Sequence, residues 1–97
     1  MASKRELTKK ISELALEFAQ KESRSLDLCG LCAIASAALY QAMLINNQLF
    51  GSNYEPNFIY GKDCYARYSH CWVECDNKVY DPTWRQFDFR QSYYIGK

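Results

Sequence analysis

Two short stretches hold the side chains best suited to covalent chemistry. LCGLCAIASAA, residues 28–38, places thiols at Cys29 and Cys32 where a polar segment gives way to an apolar run. SHCWVECDNKVYDPTW, residues 69–84, holds the only histidine of the chain, His70, with Cys71, Cys75 and Asp81 close by. A thiol in the first turn of a helix meets unpaired N–H groups and the positive end of the macrodipole, both of which stabilise a thiolate. Cys32, preceded by Gly30-Leu31 and followed by small residues, fits such an entrance better than Cys29. Free cysteine is also a common apolar packing residue. Cys32 therefore acquires chemical meaning only with a base beside it.

The second stretch supplies that base. Residues 69–74 alternate, which predicts a strand with His70, Trp72 and Glu74 on one face and Cys71, Val73 and Cys75 on the other. If Asp76-Asn77 is a two-residue turn, Cys75 faces Lys78, Val73 faces Tyr80 and Trp72 faces Asp81. Asp81 then shares a face with His70 as its diagonal cross-strand neighbour, within reach of an imidazole–carboxylate bond. One extra turn residue would send Asp81 to the opposite face. An imidazole held by a carboxylate keeps one tautomer and can take a proton from a thiol, the logic of a Cys-His-Asp triad. Trp72, on the same face, is expected to shield the pair from water. The plainer alternatives are a hydrogen-bonded strand histidine at His70 and a turn-initiating Asp81 before Pro82.

A zinc set drawn from Cys29, Cys32, His70, Cys71 and Cys75 fails on geometry. Cys71 and Cys75 share a face but lie about 13 Å apart at a rise of ~3.3 Å per residue, too far for ligands that must approach one ion to ~2.0–2.3 Å. A Cys29–Cys32 redox pair has the C-x-x-C spacing, but the strand-first order of thioredoxin-like proteins is missing. Cys64, Cys71 and Cys75 read as packing residues.

These side chains need elements to position them. Ser3 and Glu6 form an S-x-x-E capping box, and Leu7, Ile11, Leu14, Ala15 and Phe18 recur at helical spacing, predicting an amphipathic helix over about 4–22 with Lys9, Lys10, Glu13, Glu17 and Lys21 on its solvated face. Residues 28–45 are almost wholly apolar, predicting a helix that starts near Gly30 or Cys32, is buried on most sides, and ends at Asn46-Asn47. From Asn57 the period becomes two, with FIYG, YARYSHCWVEC, KVYDPT and FDFRQSYYI as strand candidates. A helix and a buried helix packed on an antiparallel sheet make an α+β fold, and 97 residues make one domain, 1–97. Twelve basic against eleven acidic residues, with no basic cluster beyond Lys4-Arg5 and Lys9-Lys10, point away from nucleic acid. The charged N-terminus is unlike a secretory signal and no apolar run reaches membrane-spanning length, so a cytoplasmic protein with reduced cysteines and no membrane partner is expected.

CGLCAIASAA resembles the nucleophile region of papain-like cysteine proteases, in which a Cys-Gly-x-Cys run ends in the catalytic cysteine at the start of the central helix. HCWVECDNKVYDPTW is similar to the transglutaminase-like branch of that superfamily, with its His, Trp and acidic strand followed by Asp-Pro-Thr. The resemblance, over residues 28–84, implies a papain-like or transglutaminase-like core with Cys32 as nucleophile, His70 as general base and acid, Asp81 as orienting carboxylate, and Gly30 as the glycine two residues before the nucleophile. Leu26 stands where papain-like enzymes carry a glutamine, which leaves the Cys32 backbone N–H as the inferred oxyanion donor. The expected activity is a cysteine hydrolase (protease, isopeptidase or amidase) acting on a protein or peptide substrate through a thioester, with no metal or other cofactor. The alternatives are a transglutaminase or deamidase acting on Gln side chains, and a non-catalytic binding module on the same fold.

Alkylation at neutral pH should accordingly be fastest at Cys32. Cys29→Ala should keep the fast-reacting thiol and Cys32→Ala should lose it, as read by mass spectrometry of the labelled peptides.

Overall fold

The computed structural model describes residues 3–22, 31–62, 69–84 and 93–96. Two helices, α1 (Lys4–Glu22) and α2 (Cys32–Phe50), precede four strands, β1 (Asn57–Lys62), β2 (Ser69–Cys75), β3 (Lys78–Asp81) and β4 (Tyr94–Gly96). The strands form an antiparallel meander in the order β1-β2-β3-β4. The chain is therefore α+β, as its change of period predicts.

Helix α1 opens with the capping box: the Glu6 N–H donates to Ser3 Oγ at 3.1 Å and the Ser3 N–H to Glu6 Oε1 at 3.3 Å. Its solvated face is the predicted one, but its packed face differs. Thr8 and Ser12 are buried, whereas Leu14 and Phe18 are about half exposed. Thr8 is accommodated because its hydroxyl donates to the Lys4 carbonyl at 2.7 Å, which removes the cost of burying it. Lys4 itself stands where a cation opposes the helix dipole. Its ammonium is bound to the Asp76 carboxylate and lies 5.5 Å from the Tyr54 ring centroid and 5.7 Å from that of Tyr80. That contact holds the Asp76 carboxyl below its ordinary value. It is complete above the usual carboxylate range and is lost as pH falls through the lowered Asp76 value.

Helix α2 buries one face rather than most of its surface. Cys32, Ala35, Ser36, Leu39, Met43 and Asn46 are buried at spacings of three and four, while Ile34 is 66% and Leu49 69% exposed. The reason is one of size: the sheet covers one side of α2 and α1 only part of another, so a run apolar all round still leaves side chains in water. The helix also runs past Asn46-Asn47 to Phe50. It stops at Gly51, whose φ of 74° is left-handed and whose N–H returns to the Asn47 carbonyl at 2.9 Å. The asparagines staple the following loop: Asn47 Oδ1 accepts from the Tyr54 N–H at 2.9 Å, and Asn46 Nδ2 donates to Ser52 Oγ at 2.9 Å.

The core is Leu39 and Met43 from α2, Val73 and Cys75 from β2, and Tyr80 from β3, with Leu7 and Ile11 of α1 packed against it. Strands β2 and β3 pair in the expected register, Val73 with Tyr80, Glu74 with Val79 and Cys75 with Lys78. Asp76 (φ 54°) and Asn77 (φ 63°) are both left-handed, as a type I′ two-residue hairpin turn requires. Strand β4 is the end of the predicted FDFRQSYYI strand; residues 85–92 lie outside the described residues, as do 63–68, the first part of YARYSHCWVEC.

The turn sets the register, so its chemistry should be measurable in stability. Asn77→Val should cost about 1–2 kcal/mol, because a β-branched residue resists positive φ, and Asn77→Gly should be neutral or stabilising. Urea denaturation of the three proteins distinguishes these outcomes.

Candidate active site

The second residue of β2, His70, and the last residue of β3, Asp81, are each only 2% exposed. His70 Nε2 and Asp81 Oδ2 are 2.7 Å apart, a short bond between buried partners. The other oxygen of Asp81 is also engaged. Asp81 Oδ1 accepts from the Thr83 N–H at 3.0 Å and from the Thr83 hydroxyl at 3.3 Å. The bond to the N–H two residues on is the turn-forming use of aspartate before Pro82. The two sequence readings of Asp81, turn former and histidine partner, are thus both realised, one on each oxygen.

On the far side of β3, Asp81 pairs with Tyr94, whose ring packs against that of Trp84 with centroids 4.8 Å apart. The Trp72 ring stacks on His70, with centroids 5.9 Å apart and planes inclined by 29°. Trp72 thus lies against the imidazole, as its place on the strand predicts. Its Nε1–H is buried and has no hydrogen-bond partner among the described residues.

Cys32 is the first residue of α2 and is 8% exposed. Leu31 at the N-cap offers no capping side chain and the first turn holds no acidic residue, so the amide dipoles there are not offset by the helix's own first turn. The thiol reaches β2 at Cys71, the neighbour of His70, close enough to act on the Cys71 thiol. One turn further along α2, the buried Ser36 hydroxyl donates to the Cys71 carbonyl at 3.1 Å. Residues 32 and 36 therefore dock the start of α2 onto one residue of the sheet. Burial, followed by the charge and hydrogen bond of Cys32, pushes the Cys71 thiol up to about 11, with the Asp81 charge adding to the rise.

Cys32, His70 and Asp81 are gathered around the first residues of β2. Alternation turns the Cys71 side chain toward α2 and the His70 side chain the other way. Gly30 and Cys29 lie outside the described residues, as does Cys64. Sequence reasoning reads Cys71 as packing only and passes over Ser36 and Thr83. The Asp-Pro-Thr order does carry a signal for Thr83, because an aspartate commonly bonds the N–H two residues on. Ser36 has no such local signal, since its partner lies 35 residues away. Among the described residues no three His, Cys, Asp or Glu side chains are grouped to hold a metal ion, and no helix is long and apolar enough to cross a membrane.

The chain matches no protein-family profile, no curated protein and no solved structure. Its likeness to papain-like and transglutaminase-like enzymes therefore rests on the residues of the two segments alone.

Ser36 ties the helix that Cys32 opens to the strand that carries His70. Ser36→Ala should lower stability by about 1 kcal/mol, because it removes a buried hydrogen bond between helix and sheet, and should loosen the first turn of α2. Denaturant unfolding gives the first effect, and faster amide hydrogen exchange in the first turn of α2 gives the second.

Proposed function

We propose that the protein is a cysteine hydrolase of the papain-like, transglutaminase-like kind, acting on amide or isopeptide bonds of a protein or peptide. The observation that carries the reading is the buried 2.7 Å bond between His70 Nε2 and Asp81 Oδ2, on the strand that a helix-entrance thiol, Cys32, meets at the next residue, Cys71. A buried imidazole–carboxylate pair fixes the tautomer and stabilises the imidazolium that forms when the ring accepts a proton. With Nε2 bound to Asp81, Nδ1 is the nitrogen assigned to the Cys32 proton.

In the first half-reaction Cys32 gives its proton to His70 and its sulfur attacks the carbonyl carbon. The tetrahedral oxyanion is stabilised by the Cys32 N–H. His70 then protonates the departing amine, leaving a thioester on Cys32. Water, deprotonated by His70, attacks the thioester and restores the thiol.

Acylation by p-nitrophenyl acetate tests the reading without a known substrate. A stoichiometric burst of nitrophenolate should accompany acetylation of Cys32 and vanish in Cys32→Ala. Asp81→Asn should slow acylation by a factor on the order of 10 to 10³, less than the comparable change in a serine triad, because a thiol at a helix N-terminus depends less on its base. An unchanged rate in a folded His70→Ala protein would mean that the ring and the thiol act on separate sides of β2, and would sink the triad. Partition of the acetyl group between water and added hydroxylamine then separates hydrolase from transferase. A folded protein that is never acylated would favour a binding module.

A further inference from the structure

We propose that Cys32 and Cys71 join in a reversible disulfide when the protein meets a hydroperoxide, sealing the candidate nucleophile against the sheet. The pairing follows from proximity and holds whether or not Cys32 acylates a substrate. Both residues are free thiols and both are buried, yet they belong to different elements and lie close enough for Cys32 to act on the Cys71 thiol. The Ser36–Cys71 bond of 3.1 Å, one helical turn from Cys32, holds the two elements together at that point. Cys75, the remaining described thiol, faces the same way from β2 but stands about 13 Å along the strand. Cys71 is thus the described thiol placed to meet Cys32.

The chemistry has two steps. The Cys32 thiolate attacks one oxygen of the peroxide, the O–O bond breaks, and water or an alcohol leaves as the protonated product, with Cys32 now a sulfenic acid. The Cys71 sulfur then attacks the sulfenic sulfur, losing its own proton, and the sulfenic oxygen departs as water. Two thiols have together given up two electrons and two protons to the peroxide, which is reduced. Thiol–disulfide exchange with a dithiol reductant restores both thiols.

The roles of the two sulfurs are distinct. Cys32 is the more exposed and sits at the helix entrance, so it is the one that meets peroxide. Cys71 lies deeper, where burial raises its thiol above the ordinary value, so it serves as the resolving thiol that meets the sulfenic sulfur. A sulfenic acid with no adjacent thiol would go on to sulfinic acid, which simple reductants do not reverse.

The test uses the full chain, fully reduced and then treated with hydrogen peroxide, with residual thiols blocked by N-ethylmaleimide before peptide mapping. Cys32 and Cys71 should lose reactivity in parallel, the intact mass should fall by two hydrogen atoms, a peptide joining residues 32 and 71 should appear, and dithiothreitol should reverse all three changes. In Cys71→Ala, Cys32 should instead gain two oxygens that dithiothreitol does not remove. A disulfide joining Cys32 to Cys29 or to any other cysteine would overturn the proposal. So would sulfinic acid at Cys32 of the unmodified chain with Cys71 still open to maleimide. The map of the unmodified chain decides the matter even if Cys71→Ala fails to fold.

Discussion

Two successive left-handed residues, Asp76 and Asn77, determine how the strand side chains of the candidate site face one another, because a two-residue turn with both φ values positive admits one pairing of the strands it joins. That pairing sets Val73 against Tyr80 in the core and carries Asp81 to the face of His70. A strand shifted by one residue would exchange the two faces, placing a carboxylate in the apolar layer and a tyrosine beside the imidazole. The demand of the core and the demand of the site are thus met by the same register. Asp76 adds a second role, since its carboxylate binds Lys4 and so ties the first helix to the turn.

Asp81 shows how a single carboxylate can serve both folding and chemistry. Oδ1 closes the turn onto Thr83, which fixes the carboxylate plane, and Oδ2 is thereby presented to His70. A carboxylate held on both oxygens keeps its orientation when the imidazole changes charge. Pro82 and Thr83 are themselves buried, so the segment that carries Asp81 past the end of β3 is packed rather than loose. The thiol side is built in the same spirit, with Cys32 and Ser36 of one helix face both meeting Cys71.

The site was more legible in the sequence than the packing around it. The capping box at Ser3 and Glu6, the helix start at Cys32 and the Asp76-Asn77 register all depend on local chemistry over a few residues, and such chemistry can be read from neighbours. The depth of α2 could not be read in this way. An apolar run states what a helix prefers to bury and not how much partner surface the fold provides, and Ile34 and Leu49 remain in water for want of a second layer. Asn46-Asn47 misled for a related reason: asparagine ends helices when it bonds its own backbone, but here it bonds a later loop. Thr8 and Ser12 were overlooked as buried residues because the helix can satisfy a hydroxyl that the sequence presents as polar.

The contact between Lys4 and Asp76 joins residues 72 positions apart. Closing so long a loop is costly in chain entropy and gains nothing until both ends are in place. The hairpin, by contrast, closes over two residues. The order of assembly follows: the β2–β3 hairpin and its contacts with α2 come first, and the first turn of α1 settles last, onto a turn that already exists. On unfolding the sequence runs backward. The amino-terminal helix is then a detachable cover whose departure bares Leu39 and Met43 while the histidine and its carboxylate stay paired behind it.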